Sequence, residues 1–93
     1  MLFLLNKSRK DCLEELRILG GDEDKAVLLV GDAVYLGLPG QAGAFENLGV
    51  DEVFADADSA AARGVALDDS VAAVGFERMA RLIMDDHDQV ISL

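Results

Sequence analysis

The thiol of Cys12 is the one side chain in this sequence with intrinsic nucleophilic reactivity, and it is the only cysteine. The apolar spacing predicts that it lies in the first turn of a helix, where unpaired backbone N–H groups favour a thiolate. Lys7, Arg9 and Lys10 place three of the eight basic residues beside it. A thiolate so placed could hold a persulfide. Cys12 also falls on a helical stripe with Leu16 and Leu19, and a cysteine on an apolar face is usually a small core side chain. Burial decides between the two readings, and the stripe favours the core.

Other constellations carry less. His87 stands among Asp85, Asp86 and Asp88, and imidazole with carboxylates could bind a divalent ion, but tight sites draw their ligands from separate elements, so a solvated turn is expected and no metal. Glu14 and Glu15 resemble a catalytic pair until their helix is considered, because adjacent helical residues diverge by about 100°. The glycines of Gly37-Leu38-Pro39-Gly40-Gln41-Ala42-Gly43 recur three apart, matching neither the dinucleotide fingerprint nor a phosphate loop. There is no Gly-x-Ser-x-Gly elbow to pair with the single histidine. No cofactor is implied.

The elements that must position these residues alternate along the chain. Met1 to Leu5 reads as a buried strand, and Ser8 with Asp11 as a helix cap. Cys12, Leu13, Leu16 and Leu19 give the helix its apolar side until Gly20 and Gly21 stop it. Ala26 to Val30 is a continuous apolar run, the mark of a central parallel strand covered on both faces. Gly31 and Asp32 open a short helix through Leu38, and Gln41 to Leu48 forms another. Val50, Val53 and Phe54 supply a third, shorter strand. Asp56 or Asp58 caps a small helix through Arg63, ended by Gly64. Val71 to Val74 is a fourth strand. Phe76, Met79, Ala80, Ile83 and Met84 form an apolar stripe expected to face a sheet, and Val90, Ile91 and Leu93 a fifth strand.

Connections too long for hairpins make the expected fold an α/β, three-layer architecture, a mostly parallel five-stranded sheet flanked by helices. In such sheets functional groups gather where strand C-terminal ends meet helix N-terminal ends, here Asn6 to Cys12, Gly31 to Val34 and Asp56 to Ser59. Lys7, Ser8, Gly31, Asp32 and Tyr35 are therefore the candidate substrate- or partner-binding residues, with Cys12 the candidate persulfide site.

Ninety-three residues, 52% of them hydrophobic, make one domain, 1–93. So short and apolar a chain is expected to cover part of its surface with another subunit, with Val34, Tyr35, Leu36 and Leu38, or Phe45 and Leu48, as seams. A formal charge of −10 opposes direct binding to nucleic acid or acidic membranes. The five apolar residues Met1 to Leu5 make neither a signal peptide nor a membrane span, so a cytoplasmic protein is expected.

Four segments, in order along the chain, resemble the DsrE/DsrF/DsrH-like family and within it the TusB/DsrH branch. They are Leu2-Phe3-Leu4-Leu5-Asn6-Lys7-Ser8, Val27-Leu28-Leu29-Val30-Gly31-Asp32-Ala33-Val34-Tyr35-Leu36, Ala62-Arg63-Gly64-Val65, and the tail Phe76 to Leu93. The resemblance implies a DsrEFH/flavodoxin-like sheet and a place in a hetero-oligomer with DsrE/TusD-like and DsrF/TusC-like subunits. Such a complex hands sulfane sulfur to a TusE/DsrC-like acceptor, in tRNA 2-thiouridine formation or dissimilatory sulfur metabolism. The carrier-cysteine motif of the DsrE/TusD-type subunit is absent here, while Cys12 resembles a cysteine near the first helix of some TusB/DsrH chains. The chain thus reads as a docking subunit, non-catalytic or accessory. The alternatives are a stand-alone sulfur carrier using Cys12 and a homo-oligomeric module for a small ligand near Gly31 and Asp32.

Overall fold

The computed structural model describes residues 1–7, 10–87 and 89–93, the side chain of Lys10 excepted. The expected Ser8 cap lies outside them. The elements in chain order are β1 (Leu2–Leu5), α1 (Lys10–Gly20), β2 (Lys25–Leu29), a 3₁₀ helix (Gly31–Gly37), α2 (Gly43–Asn47), β3 (Val50–Asp56), α3 (Ala57–Ala62), β4 (Val71–Val74), α4 (Phe76–Met84) and β5 (Val90–Ser92).

The strands form one five-stranded sheet in the order β4-β3-β2-β1-β5, every neighbouring pair parallel. The continuous apolar run of β2 occupies the centre, buried along its whole length. From β1 to β4 the chain steps one way, so right-handed crossovers put α1, the 3₁₀ helix, α2 and α3 on one face. The return from β4 to β5 puts α4 on the other.

The two faces carry two cores. Phe3, Leu5, Val27, Leu29 and Ala55 pack against Cys12, Leu16, Ala33, Val34 and Phe45 on the many-helix face. Leu2, Ala26, Leu28, Phe54 and Val74 meet Leu82 on the α4 face, with Leu4, Val30 and Met79 partly buried at its border. Each large apolar side chain so buried contributes about 1.5–3 kcal/mol.

Several expectations change. β3 is not short: the polar Asp51 and Glu52 follow Val50 at its start, but it runs seven residues and pairs along β2 from Val50 onward, with a register shift between Lys25 and Ala26. On α1 the stripe ends early, since Cys12 and Leu16 are buried while Ile18 and Leu19 are exposed. On α4 the expected stripe is turned outward. Leu82 is buried and Met79 half-buried, whereas Phe76 and Met84 are each 79% exposed and Ile83 is 38% exposed. The expected seams also fail: Val34, Leu36 and Phe45 are buried within this chain and Leu38 and Leu48 are half-buried, leaving only Tyr35 exposed.

Candidate functional site

Because all strands are parallel, the ends of β1, β2 and β3 share one edge. The backbone N–H of Val30 donates to the Leu5 carbonyl at 2.9 Å, tying the exits of β1 and β2 together. Gly31 then turns with φ of +55°, a left-handed conformation that side chains resist. A Cβ there would stand 3.6 Å from the Asn6 carbonyl oxygen.

The Gly31 N–H donates to Ser59 Oγ at 3.1 Å, and the Ser59 hydroxyl donates to Asp56 Oδ2 at 2.6 Å. Asp56 caps α3, its Oδ1 accepting the Asp58 N–H at 3.2 Å. Arg63, one helical turn beyond Ser59, donates from Nε to Asp32 Oδ1 at 2.9 Å and from its guanidinium to the Ser59 carbonyl at 3.3 Å. A bonded chain of groups, Asp56–Ser59–Gly31 beside Asp32–Arg63, thus locks the exit of β2 to that of β3. The Asp32 side chain is 68% exposed, so the ion pair supplies positioning rather than much stability.

The candidates divide accordingly. Gly31 and Asp32 enter this network. Tyr35 is exposed three residues after Asp32, and three residues per 3₁₀ turn place both on one side of that helix. Lys7 is exposed just past β1, with no hydrogen bond or ion pair among the described residues. Ser8 lies outside the described residues. Cys12 is 7% exposed within the core of the many-helix face. Sequence reasoning pointed to the Asp56 to Ser59 segment but missed Arg63, whose signal is its position four residues after Ser59. It also missed the topological switch, which required the strand order. β3 exits toward α3 on one face and β4 toward α4 on the other, and the open depression of about 460 Å³ at the start of α4 is lined by Gly75, Phe76, Glu77, Arg78 and Arg81.

The rest of the reactive inventory sits at the opposite edge. His87 lines a depression with Met1, Asp24, Lys25, Asp51 and Glu52, at the starts of the strands. A sheet's length separates it from Ser59, so no serine–histidine relay can form. Another depression, of about 650 Å³, is also remote from the network. Glu46, Asp51 and Asp68 line it, and the Ser70 hydroxyl and N–H hold the Asp68 carboxyl below its ordinary range. Among the described residues no three histidine, cysteine or carboxylate groups converge as metal ligands. No described helix is long and apolar enough to cross a membrane.

This all-parallel sheet with helices on both faces has the DsrE/DsrF-like α/β fold. The crystal structure of the YchN protein from E. coli matches it with a TM-score of 0.74 over 99% of this chain and 97% of that one, at 18% sequence identity. At that identity the likeness is one of fold. No family model and no curated protein matches the chain.

Proposed function

We propose that this chain is a docking subunit of a cytoplasmic sulfur-relay complex of the TusBCD/DsrEFH type, of the TusB/DsrH kind. Its partners in this reading are DsrE/TusD-like and DsrF/TusC-like subunits and a TusE/DsrC-like acceptor. The observation that carries the docking role is the burial of Cys12, the only thiol, in a core of Phe3, Leu5, Leu16 and Ala33 on a DsrE/DsrF-like fold. A sulfur carrier must present its thiolate to both donor and acceptor, and a thiol so packed cannot. The exposed groups at the strand exits, Lys7, Asp32 and Tyr35, suit contact with another protein.

The test is reconstitution with the DsrE-like and DsrF-like subunits of the same source. The three should co-purify, and Cys12→Ala should leave persulfide transfer to the acceptor within about twofold of wild type. Failure to associate at micromolar concentration would end the docking reading. A fall of tenfold or more in transfer with the complex intact would make Cys12 a carrier.

A further inference from the structure

Seven residues, Gly31–Gly37, form an unbroken 3₁₀ helix. Such runs rarely pass about three or four residues, because i→i+3 hydrogen bonds are poorer than the i→i+4 bonds of an α-helix. Side-chain packing does not impose the choice. Ala33, Val34, Leu36 and Gly37 are buried while Asp32 and Tyr35 are exposed. At about 120° per residue the buried positions fall on one side of the axis, and at about 100° they still do, within about 160° of arc. Either helix would keep the same core.

What differs is length. From Gly31 to Gly37 a 3₁₀ helix rises about 12 Å and an α-helix about 9 Å. Both ends of the segment are held from outside it. At the start the Gly31 N–H donates to Ser59 Oγ at 3.1 Å and Arg63 Nε donates to Asp32 Oδ1 at 2.9 Å, Ser59 lying within α3 and Arg63 at its end. At the finish the Gly37 carbonyl accepts the Asp68 N–H at 2.8 Å. Gly37 is also wedged, since an added Cβ would stand 2.9 Å from Leu67 Cδ2. A contraction of about 3 Å is a whole donor–acceptor distance, so the α form cannot keep both ends bonded. The start is the end that can give way. The Asp32–Arg63 pair meets solvent whereas Gly37 is buried, and Gly31, at φ of +55°, is the residue free to take other dihedrals.

We propose that Gly31–Gly37 is a two-state segment, kept in the 3₁₀ form by the clamp of Ser59 and Arg63 and passing to an α-helix when that clamp opens, with Gly31 as the hinge. The two forms present different surfaces. In the 3₁₀ form Asp32 and Tyr35 stand in line, one turn apart, and in the α form they diverge by about 60°. The clamp thus decides whether these two exposed side chains act as one contact surface. The inference goes beyond the relay reading and is measured on the purified chain alone, so either can fail without the other. Nuclear Overhauser contacts on the isotope-labelled full chain separate the forms, since Hα(i)–HN(i+2) contacts mark 3₁₀ geometry and Hα(i)–HN(i+4) contacts mark α geometry. The wild type should show the first kind across Gly31–Gly37 and lack a contact from Asp32 Hα to Leu36 HN. In the double variant Ser59→Ala with Arg63→Ala that contact should appear and the i+2 contacts should be lost. Ser59→Thr, which keeps the hydroxyl, should retain the wild-type pattern. If the double variant does not fold, Arg63→Ala alone reads the same contacts: both kinds together support two forms in exchange, and the i+2 kind alone overturns them. A strong contact from Asp32 to Leu36 in the wild type would overturn the 3₁₀ resting form. An unchanged pattern in a folded double variant would overturn the role of the clamp, and loss of both kinds of contact would overturn the α alternative.

Discussion

At Cys12, 7% exposed, packing holds the side chain as a small apolar plug. Iodoacetamide should therefore label the native protein at least about tenfold more slowly than the urea-unfolded chain at pH 8. Equal rates would show an accessible thiol. Cys12→Ala should lower stability by about 1 kcal/mol, the scale of a small cavity beside Leu16. Asp56 carries more than its exposure suggests, because it caps α3 and also orients the Ser59 hydroxyl that receives the Gly31 N–H. Asp56→Ala should cost about 1–2 kcal/mol in urea unfolding, and Asp56→Asn, which keeps a cap acceptor, clearly less. Equal losses would mean that the cap does not hold the network. Arg63 was not legible as its partner because a contact spanning 31 residues, Arg63 to Asp32, leaves no local pattern.

At the scale of elements, the same rules succeed or fail according to how many surfaces an element meets. After Lys25, whose buried ammonium donates to the Gly21 and Glu23 carbonyls, β2 is apolar because it has neighbours on both sides and both faces, and its centrality was legible from the run Ala26 to Val30. The caps and stops near Asp56 and Gly64 are local, and both were legible; Gly64 has φ of +63°. The orientation of α4 was not legible, for a definite reason: with apolar residues around more than half its circumference, periodicity does not say which half faces the sheet. β3 looked short because Asp51 and Glu52 break its pattern, yet the strand still pairs with β2 across them: the register shifts between Lys25 and Ala26, and the Lys25 N–H donates to the Asp51 carboxylate at 3.3 Å. The orientation of α4 has a direct consequence for stability. Leu82→Ala should cost about 2–4 kcal/mol, while Met84→Ala should stay within about 0.5 kcal/mol when measured at concentrations low enough that self-association adds nothing. Reversed magnitudes would mean that the helix is rotated relative to the sheet.

Over the whole molecule the strongest long-range force is self-repulsion, from a charge of −10 on 93 residues, which opposes compaction and is screened by salt. The screening length falls from about 30 Å at 0.01 M to about 8 Å at 0.15 M, less than the span of the domain. Raising NaCl across that range should therefore raise Tm by several degrees, and a flat or falling Tm would show that the acidic groups do not strain the fold. Chloride is the right anion, since sulfate would strengthen apolar burial by itself. Acid acts in two directions. Between neutral pH and about 5, partial neutralisation relieves the repulsion and stability should hold or rise. Below that, local pairings oppose the trend: Glu14 is held below its ordinary range by hydrogen bonding and then by charge from Arg17, and Asp68 by the Ser70 hydroxyl and then its N–H. A carboxylate with a depressed folded pKa contributes its full stabilisation above the unfolded value, and loses it as pH falls through the folded one. Both groups are exposed, so the acid loss should be gradual, beginning near pH 4, with maximal stability on its neutral side. Urea unfolding from pH 3 to 8 measures the profile. A maximum above pH 7 would show that net repulsion does not govern the pH dependence, and Ser70→Ala should shift the Asp68 titration back upward without moving that of Glu14.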